Sequence, residues 1–184
     1  MDETIVIQKV AEGDAVAFGR IVQSYQGMLT RFAERILGDQ AMAQDVVQEA
    51  FLRLWRLRKT HLPTILCLRP YLLRVVRNLC LDYIRTAKPT EPLYAESGVT
   101  EIPGKSVEGV MQTQLLVEAI RNAVQTLPEP HRTVFLLSQY EELSYREIAE
   151  IVGCPVNTVA SRKRLAVEAL RRRLRSWGEE EERL

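Results

Sequence analysis

The stretch that decides the fold is residues 144–175, SYREIAEIVGCPVNTVASRKRLAVEALRRRLR, which carries the start and stop signals of two closely linked helices. Ser144 and Glu147 stand at the S-x-x-E spacing of a capping box at a helix N-terminus. Gly153 can adopt the positive φ that often ends a helix, and Pro155 suits the first turn of a following helix. The stretch therefore predicts a helix, a three-residue turn and a second helix, the arrangement of a helix-turn-helix.

The second helix of this motif is predicted to have a packed side and a polar side. At 100° per residue, one side carries Val159, Ala166, Leu170 and Trp177, and the other carries Asn157, Ser161, Arg164, Glu168 and Arg175. Between residues 157 and 175, seven basic residues stand against one Glu, a net charge of 7 − 1 = +6. Such local charge neutralises DNA phosphates. A solvated helix of an ordinary bundle is the alternative for a charge run, but the capped first helix and the Gly-x-Pro turn favour DNA binding.

Composition bounds the class of protein. The 184 residues have room for one large domain or two small ones. Cys67, Cys80 and Cys154 have neither C-x-x-C spacing nor neighbouring histidines, so no metal site and no disulfide framework is predicted. No basic N-terminal segment precedes an apolar run, and no apolar run reaches the ~18 residues of a membrane span. A soluble cytoplasmic protein without membrane insertion is expected.

The overall charge of +1 conceals a polarised first half. Residues 1–52 hold four basic and eight acidic side chains, a net of 4 − 8 = −4, whereas residues 53–88 hold nine basic side chains and one acidic, a net of 9 − 1 = +8. This half of the chain is therefore electrostatically polarised.

Helical periodicity, interrupted by glycine and proline, organises the chain into two blocks. Helical segments are predicted over 15–37, 41–58 and 70–85, and again from residue 111 with a break at 127–130. Residues 89–106, PTEPLYAESGVTEIPGKS, have no sustained period and read as a tether. The predicted fold is all-α, with two small helical domains joined by a flexible linker: domain 1–88, linker 89–111, domain 112–177 and acidic tail 178–184.

The helix over residues 41–58 is predicted to expose a polar face. Its inward side holds Ala43, Val47, Ala50, Phe51 and Leu54, and the opposite face holds Asp45, Gln48, Glu49, Leu52, Arg53 and Arg56. Leu52 is the exception on that face. An isolated exposed leucine needs no explanation, but an apolar side chain among acidic and amide groups also suits docking on a basic helical partner.

The helix over residues 69–86 is predicted to expose a basic face. Its inward side holds Leu72, Val75, Val76, Leu79 and Tyr83, and its outer side holds Arg74, Arg77, Leu81 and Arg85. Tyr71, Asn78 and Asp82 follow one edge. Asn78 could bond to neighbouring backbone, but a polar side chain beside a basic face also suits an unstacked nucleic-acid base.

In this order and spacing, the motifs resemble the extracytoplasmic-function group of bacterial RNA polymerase sigma factors over nearly the whole chain. In the first half, the matching residues are Gly13-Asp14 with Ala17-Phe18, Ile21-Val22 and Tyr25, then residues 45–55, DVVQEAFLRLW, and Arg69-Pro70-Tyr71-Leu72 with Asn78, Asp82 and Arg85. In the second half, they are Leu127-Pro128, Arg132, Val134-Phe135, Leu143-Ser144-Tyr145, Glu147-Ile148-Ala149, Gly153-Cys154-Pro155 and residues 158–162, TVASR. Each piece alone is weak, and together they are specific.

The resemblance implies that residues 1–88 form sigma region 2 and residues 112–177 form sigma region 4. It implies that Asp45, Gln48, Glu49, Leu52, Arg53 and Arg56 dock on the clamp coiled coil of the polymerase largest subunit. It also implies that residues 69–85, with the loop 59–68, melt the minus-10 element through Arg69, Tyr71, Arg74, Arg77, Asn78 and Arg85, with a flipped base captured near Asn78. The linker, with a net charge of −2 over 89–106, is similar to a family segment that threads toward the polymerase active centre.

For region 4, the resemblance implies that the helix-turn-helix reads the minus-35 element and that the polymerase flap is a further contact. The residues implied are Ser144, Arg146, Asn157, Thr158, Ser161, Arg162 and Arg164. The sequence departs from the family's commonest pattern at Ala160, often basic, at Lys163, often apolar, and at Leu165, often arginine. Arg162, Arg171 and Arg172 are expected to contact phosphates or to pack rather than to read bases.

The expected function is therefore a non-enzymatic transcription initiation factor, with core RNA polymerase, promoter DNA and an anti-sigma protein as partners. No cofactor and no small-molecule substrate is expected. A stand-alone helix-turn-helix regulator of the response-regulator output type is the alternative, and it leaves the 41–58 and 69–86 faces unexplained. An all-α enzyme has little support, because His61 and His131 lie in loop or breaker contexts and no acid/base pair or phosphate loop is evident.

Overall fold

The structure is a computed structural model that describes residues 3–60, 62, 65, 67–86 and 107–181, with backbone only for 107–113 and 176–181. Throughout these residues the regular structure is helical and no strand occurs, which confirms the all-α prediction. The chain divides into two compact units, Met1–Glu91 and Pro92–Leu184. The tether predicted over 89–106 lies outside the described residues. Across the described ranges, no helix combines the length and apolarity that a bilayer crossing requires.

Unit 1 contains four described helices: α1 (Glu3–Glu12), α2 (Ala15–Leu37), α3 (Gln40–Arg56) and α4 (Leu68–Thr86). Asp14 caps α2 by accepting hydrogen bonds from the amides of Val16 and Ala17 at 2.8 and 3.0 Å. Gly38 ends α2 in the left-handed region at φ 77°, which glycine adopts without steric cost. Asp39 then caps α3 through the Met42 amide at 2.9 Å. Because two capped helices follow each other within three residues, α2 and α3 pack side by side.

The core of unit 1 lies between α2, α3 and α4, which pack on one another, and α1 covers α2. Its fully buried side chains include Leu29, Phe32 and Ile36 from α2, Ala50 and Leu54 from α3, and Leu72, Leu73, Val76 and Cys80 from α4. Leu62 is also completely buried, so it anchors the connection between α3 and α4. This anchor fixes the start of α4, where the predicted DNA-facing residues begin.

Unit 2 contains α5 (Val107–Gln125), α6 (Glu129–Tyr140), α7 (Tyr145–Val152) and α8 (Val156–Glu181). The α6 helix packs on α7 and α8, and α5 packs on α8. The unit's core contains Val134, Leu136 and Leu137 from α6, Ile148 from α7 and Val159 and Ala166 from α8. Arg132 of α6 donates to the Gln125 carbonyl at 3.3 Å and to the Gln125 side chain, so it ties α6 to the end of α5.

Three helix boundaries differ from the sequence expectation. The α5 helix begins at Val107, inside the range 89–111 assigned to the linker, and α8 continues to Glu181, inside the range 178–184 assigned to the acidic tail. The α6 helix begins at Glu129, inside the break predicted at 127–130, because Pro128 and Pro130 occupy its cap and first turn. Proline is tolerated there, since the first amides of a helix have no intrahelical acceptor. Pro70 likewise lies in the first turn of α4.

Candidate promoter and polymerase interfaces

The helix-turn-helix has the cap and turn that its sequence predicts. The Ser144 amide donates to Glu147 Oε2 at 2.9 Å, and the Glu147 amide donates back to Ser144 Oγ at 3.3 Å. The Ser144 hydroxyl also donates to that carboxylate at 2.6 Å. Gly153 ends α7 at φ 68°, and its amide donates to the Ala149 carbonyl at 2.9 Å. Ser144, predicted as a DNA contact, is thus already engaged as the helix cap.

The α8 helix has the two predicted sides. Val159, Ala166 and Leu170 are buried, whereas the reading face, defined here as Asn157, Ser161, Arg164 and Glu168, is exposed. The Trp177 side chain, expected on the packed side, lies outside the described side chains. Because α8 packs with one side on α5, α6 and α7, the reading face is left exposed on the opposite side.

Two pairs organise the reading face. Arg164 Nη1 donates to Glu168 Oε1 at 2.9 Å, one helical turn apart. The Ser161 hydroxyl donates to the Asn157 carbonyl at 2.9 Å, which holds that hydroxyl against the helix. The other residues predicted to contact DNA differ in exposure: Arg146 is exposed, and Thr158 and Arg162 are half-buried. Arg162 Nη1 lies 3.6 Å from Cys154 Sγ, within hydrogen-bond range for sulfur, so it lies close to the turn.

Lys163 is one of the three residues at which the sequence departs from the family's commonest pattern. In the structure its side chain contacts an aromatic ring. Its ammonium nitrogen lies 5.3 Å from the centroid of the Tyr145 ring, within the range of a cation–π contact. The side chain is half-buried, as expected for a lysine near the packed side that extends its charge outward. This contact between α7 and α8 was not predicted from the sequence. The helix-turn-helix arrangement folds α8 back on α7 and so could have suggested that Lys163 lies beside Tyr145.

The α3 polar face, defined as Asp45, Gln48, Glu49, Leu52, Arg53 and Arg56, lies at the surface of unit 1. All of these residues are exposed except Glu49, which is half-buried. Leu52 is 48% exposed and is therefore available to an apolar partner surface. Glu49 accepts from Arg53 Nε at 2.8 Å and lies 3.8 Å from Arg56 Nη1. These two arginines lower the pKa of Glu49, chiefly through the Arg53 hydrogen bond. The face therefore carries acidic residues before Leu52 and basic residues after it.

Behind the α3 polar face lies an aromatic cluster that the sequence did not predict. The Phe18 ring of α2 lies 4.9 Å from Trp55 and 6.4 Å from Phe51, measured between centroids. The guanidinium of Arg58 lies 4.2 Å from the Trp55 centroid, and its Nη1 donates to the Trp55 carbonyl at 2.8 Å. This cluster packs α2 against the C-terminal end of α3.

The α4 basic face, defined as Arg69, Tyr71, Arg74, Arg77, Asn78 and Arg85, is exposed or half-buried along its whole length. The Arg74 guanidinium lies 5.8 Å from the Tyr71 ring centroid, and burial raises the pKa of Tyr71. Arg77 Nη1 donates to Asn78 Oδ1 at 3.3 Å, and Arg85 Nη1 donates to Asp82 Oδ1 at 3.2 Å. Asn78 itself is exposed, so its amide faces away from the bundle. Of the loop 59–68, only residues 59, 60, 62, 65, 67 and 68 are described.

One residue assigned to the inner side of α4 lies elsewhere. Tyr83 was expected to face inward with Leu72 and Val76, but it is 37% exposed, and Ile84 beside it is exposed too. The predicted inner side holds for Leu72, Val76 and Leu79, which are buried. Tyr83 lies near the C-terminal end of α4, where residues 82–86 are all exposed. Leu73 and Cys80, not assigned to the inner side, are fully buried.

Unit 1 also contains a half-buried hydrogen bond between its first two helices. Tyr25 of α2 donates its hydroxyl to Glu3 Oε1 of α1 at 2.5 Å. Burial, followed by the hydrogen bond to Glu3 and the charge of that carboxylate, raises the pKa of Tyr25 to about 12, against an opposing effect of Arg69. Within the described residues no group of His, Cys, Asp and Glu could hold a metal ion.

Protein-family models match both units. The Sigma-70 region 2 model matches residues 21–90, and the Sigma-70, region 4 model matches residues 117–170. The first match contains the α3 polar face and the α4 basic face, and the second contains α7 and the reading face of α8. Together these matches define a sigma-70-type transcription factor.

Relatives narrow this class to one group. The chain is 34% identical to the ECF RNA polymerase sigma factor SigW of Bacillus subtilis, covering 92% of this chain and 95% of SigW. It is 31% identical to the ECF RNA polymerase sigma factor SigL of Mycobacterium tuberculosis, covering 94% and 97%. The chain belongs to the extracytoplasmic-function group of RNA polymerase sigma factors.

Solved structures share the fold. CnrH, solved in complex with the cytosolic domain of CnrY, matches 95% of this chain with a TM-score of 0.72 at 21% identity, over 97% of its own length. RpoE of Bartonella quintana, solved with the anti-sigma factor NepR, matches 86% of this chain with a TM-score of 0.66 at 20% identity, over 96% of its own length.

Proposed function

We propose that this protein binds core RNA polymerase and directs it to promoters that carry specific minus-35 and minus-10 elements. The single observation that carries the proposal is that the α3 polar face, the α4 basic face and the α8 reading face are all at the surface, inside the two regions that match sigma-70 models. A stand-alone helix-turn-helix regulator would account for unit 2 only, whereas relatives match 92% of the chain.

The division of labour follows from charge and shape. The α3 polar face, with Leu52 at its centre, docks on the polymerase, because an exposed apolar side chain among fixed charges can form a small desolvated contact. The α4 basic face attracts the promoter backbone through its arginines. Asn78 and Tyr71 then supply a hydrogen-bonding group and a ring to an unpaired base. Capturing such a base lowers the free energy of the open duplex, so binding is coupled to strand separation.

The helix-turn-helix supplies the second half of promoter recognition. Its reading face enters the major groove at the minus-35 element, while the basic residues around it contact phosphates. The protein performs no bond chemistry in this scheme, because nucleotide addition belongs to the polymerase. It acts in the cytoplasm, where the bacterial polymerase works.

We also propose control by an anti-sigma protein. Two structurally similar proteins support this: CnrH was solved with the cytosolic domain of CnrY, and RpoE with the anti-sigma factor NepR. Within unit 1, the exposed apolar residues Tyr83 and Ile84 near the end of α4 offer surface to such a partner.

Run-off transcription with purified core polymerase and genomic promoter fragments tests the main proposal. The expected result is initiation at a set of start sites that share two upstream motifs and that core polymerase alone does not use. Failure to initiate from any fragment, together with tight binding of the isolated protein to duplex DNA, would contradict it and favour the stand-alone regulator.

A further inference from the structure

Glu168 stands where a carboxylate opposes the charge of its surroundings. It is the only acidic residue from 156 to 175, a segment with seven basic residues. It lies on the exposed reading face, one turn after Arg164, and its side chain is 48% exposed. A carboxylate facing DNA repels phosphates, so its position calls for a specific contact that offsets the repulsion.

The structure supplies that contact. Glu168 Oε1 accepts from Arg164 Nη1 at 2.9 Å, and the Arg164 side chain is 67% exposed. Guanidinium has five N–H donors in a planar fork. A bond at Nη1 leaves the edge formed by Nε and Nη2 open, and this edge can donate two parallel hydrogen bonds to O6 and N7 of guanine. The pair also reduces the rotamer freedom that a long arginine side chain otherwise loses on binding.

We propose that Glu168 is a positioning residue that aims Arg164 at a guanine and turns it away from phosphates. The proposal rests on the proposed function, because it requires α8 to read promoter DNA. It predicts two separable effects of the carboxylate. Its acceptor atom holds the guanidinium in the reading geometry, and its charge weakens binding to DNA of any sequence.

An ordinary surface ion pair is the competing explanation. Exposed pairs at i, i+4 spacing stabilise a helix only weakly. A pair with that role alone would change thermal stability slightly and leave base preference unchanged. Base preference is therefore the property that distinguishes positioning from simple helix stabilisation.

The experiment uses the full chain with promoter libraries randomised across the upstream element, in two arms. One arm selects transcripts made with core polymerase, and the other selects duplexes bound by the full chain alone. The variants are Arg164→Ala, Glu168→Ala and Glu168→Gln. Glu150→Gln is the matched control, because Glu150 is an exposed carboxylate of the same helix-turn-helix on the other helix.

Arg164→Ala and Glu168→Ala should lose about tenfold discrimination for guanine at the same base pair. Glu168→Gln should retain most of the preference, because its amide oxygen still accepts from Arg164, but it should bind non-specific DNA as tightly as Glu168→Ala does. Glu150→Gln should leave base preference unchanged in both arms.

Unchanged preference in Glu168→Ala would overturn the proposal, and so would a loss at a base pair that Arg164→Ala does not affect, since Glu168 would then read a base itself. Failure of the transcription arm for every protein, with the Arg164-dependent preference intact in the binding arm, would contradict the proposed function and leave the positioning role supported.

Discussion

The ammonium of Lys163 lies 5.3 Å from the centroid of the Tyr145 ring and thereby joins the N-terminal third of α8 to the first residue of α7. This contact lies beside the capping box of Ser144 and Glu147, so a cation–π contact and a cap stabilise the same end of α7. The orientation of the reading face relative to α7 depends on that end. Contacts at this end therefore affect how firmly α7 and α8 are held together.

Tyr145→Leu should lower the local stability of α7 by about 0.5–1 kcal/mol, because it removes the ring under the ammonium. Tyr145→Phe is the control, since it keeps the ring and removes only the hydroxyl. Hydrogen exchange of the α7 amides in the full chain measures the effect, with faster exchange expected in the leucine variant alone. Equal acceleration in both variants would show that the hydroxyl, and not the ring, supplies the stabilisation.

Leu52→Asp should reduce affinity for core polymerase about tenfold or more, or roughly 1.4 kcal/mol, because it places a charge at the apolar centre of the α3 polar face. Leu52 is exposed, so the fold should tolerate the change. Val16→Asp is the matched control, as Val16 is a more exposed apolar residue on a different helix, in the first turn of α2. A pull-down with core polymerase and circular dichroism of each variant are the measurements. Core affinity equal to that of the unmodified protein would exclude Leu52 from the interface.

Much of this architecture can be predicted from the sequence, because its signals are local. Asp14, Gly38 and Asp39 mark helix ends through backbone conformation and caps that depend on a few neighbouring residues. The two sides of α3 and α8 follow from periodicity, and Ala50 and Val159 are buried as expected. Family resemblance added the roles of these faces, which periodicity alone does not give.

The features that the sequence did not predict depend on contacts between residues distant in sequence, or on where neighbouring helices end. Tyr83 continues the inner stripe of α4 but is exposed, since burial requires a partner that reaches that turn. The contacts of Trp55 with Phe18 and of Lys163 with Tyr145 join different helices, so no single-helix pattern contains them. Proline signals were also misread at the start of α6, where Pro128 and Pro130 open a helix rather than delay it.

Arg164→Ala should weaken initiation at promoters with a minus-35 element more than at promoters without one. The difference should be about 1–3 kcal/mol if the guanidinium makes a bidentate base contact. Arg171→Ala is a suitable comparison, because Arg171 is an exposed arginine of the same helix expected to meet phosphates. Its loss should weaken both promoter sets alike and lower the salt dependence of binding. Abortive initiation at several salt concentrations provides both quantities. An equal loss on both promoter sets for Arg164→Ala would make it a phosphate contact.

The Tyr25 contact with Glu3 predicts a late tyrosine titration. Burial and the Glu3 hydrogen bond raise the pKa of Tyr25 from 10.0 to about 12, so folding favours the protonated phenol. The stabilisation is therefore fully present below pH 10 and is lost as pH rises from 10 to about 12. Ultraviolet absorbance of tyrosinate, compared between the unmodified protein and Tyr25→Phe, isolates this residue among the six tyrosines. Glu3→Gln, which keeps an acceptor and removes its charge, should shift the Tyr25 transition toward pH 10. A Tyr25 transition centred at pH 10 in the unmodified protein would show that α1 does not hold Glu3 against the phenol in solution.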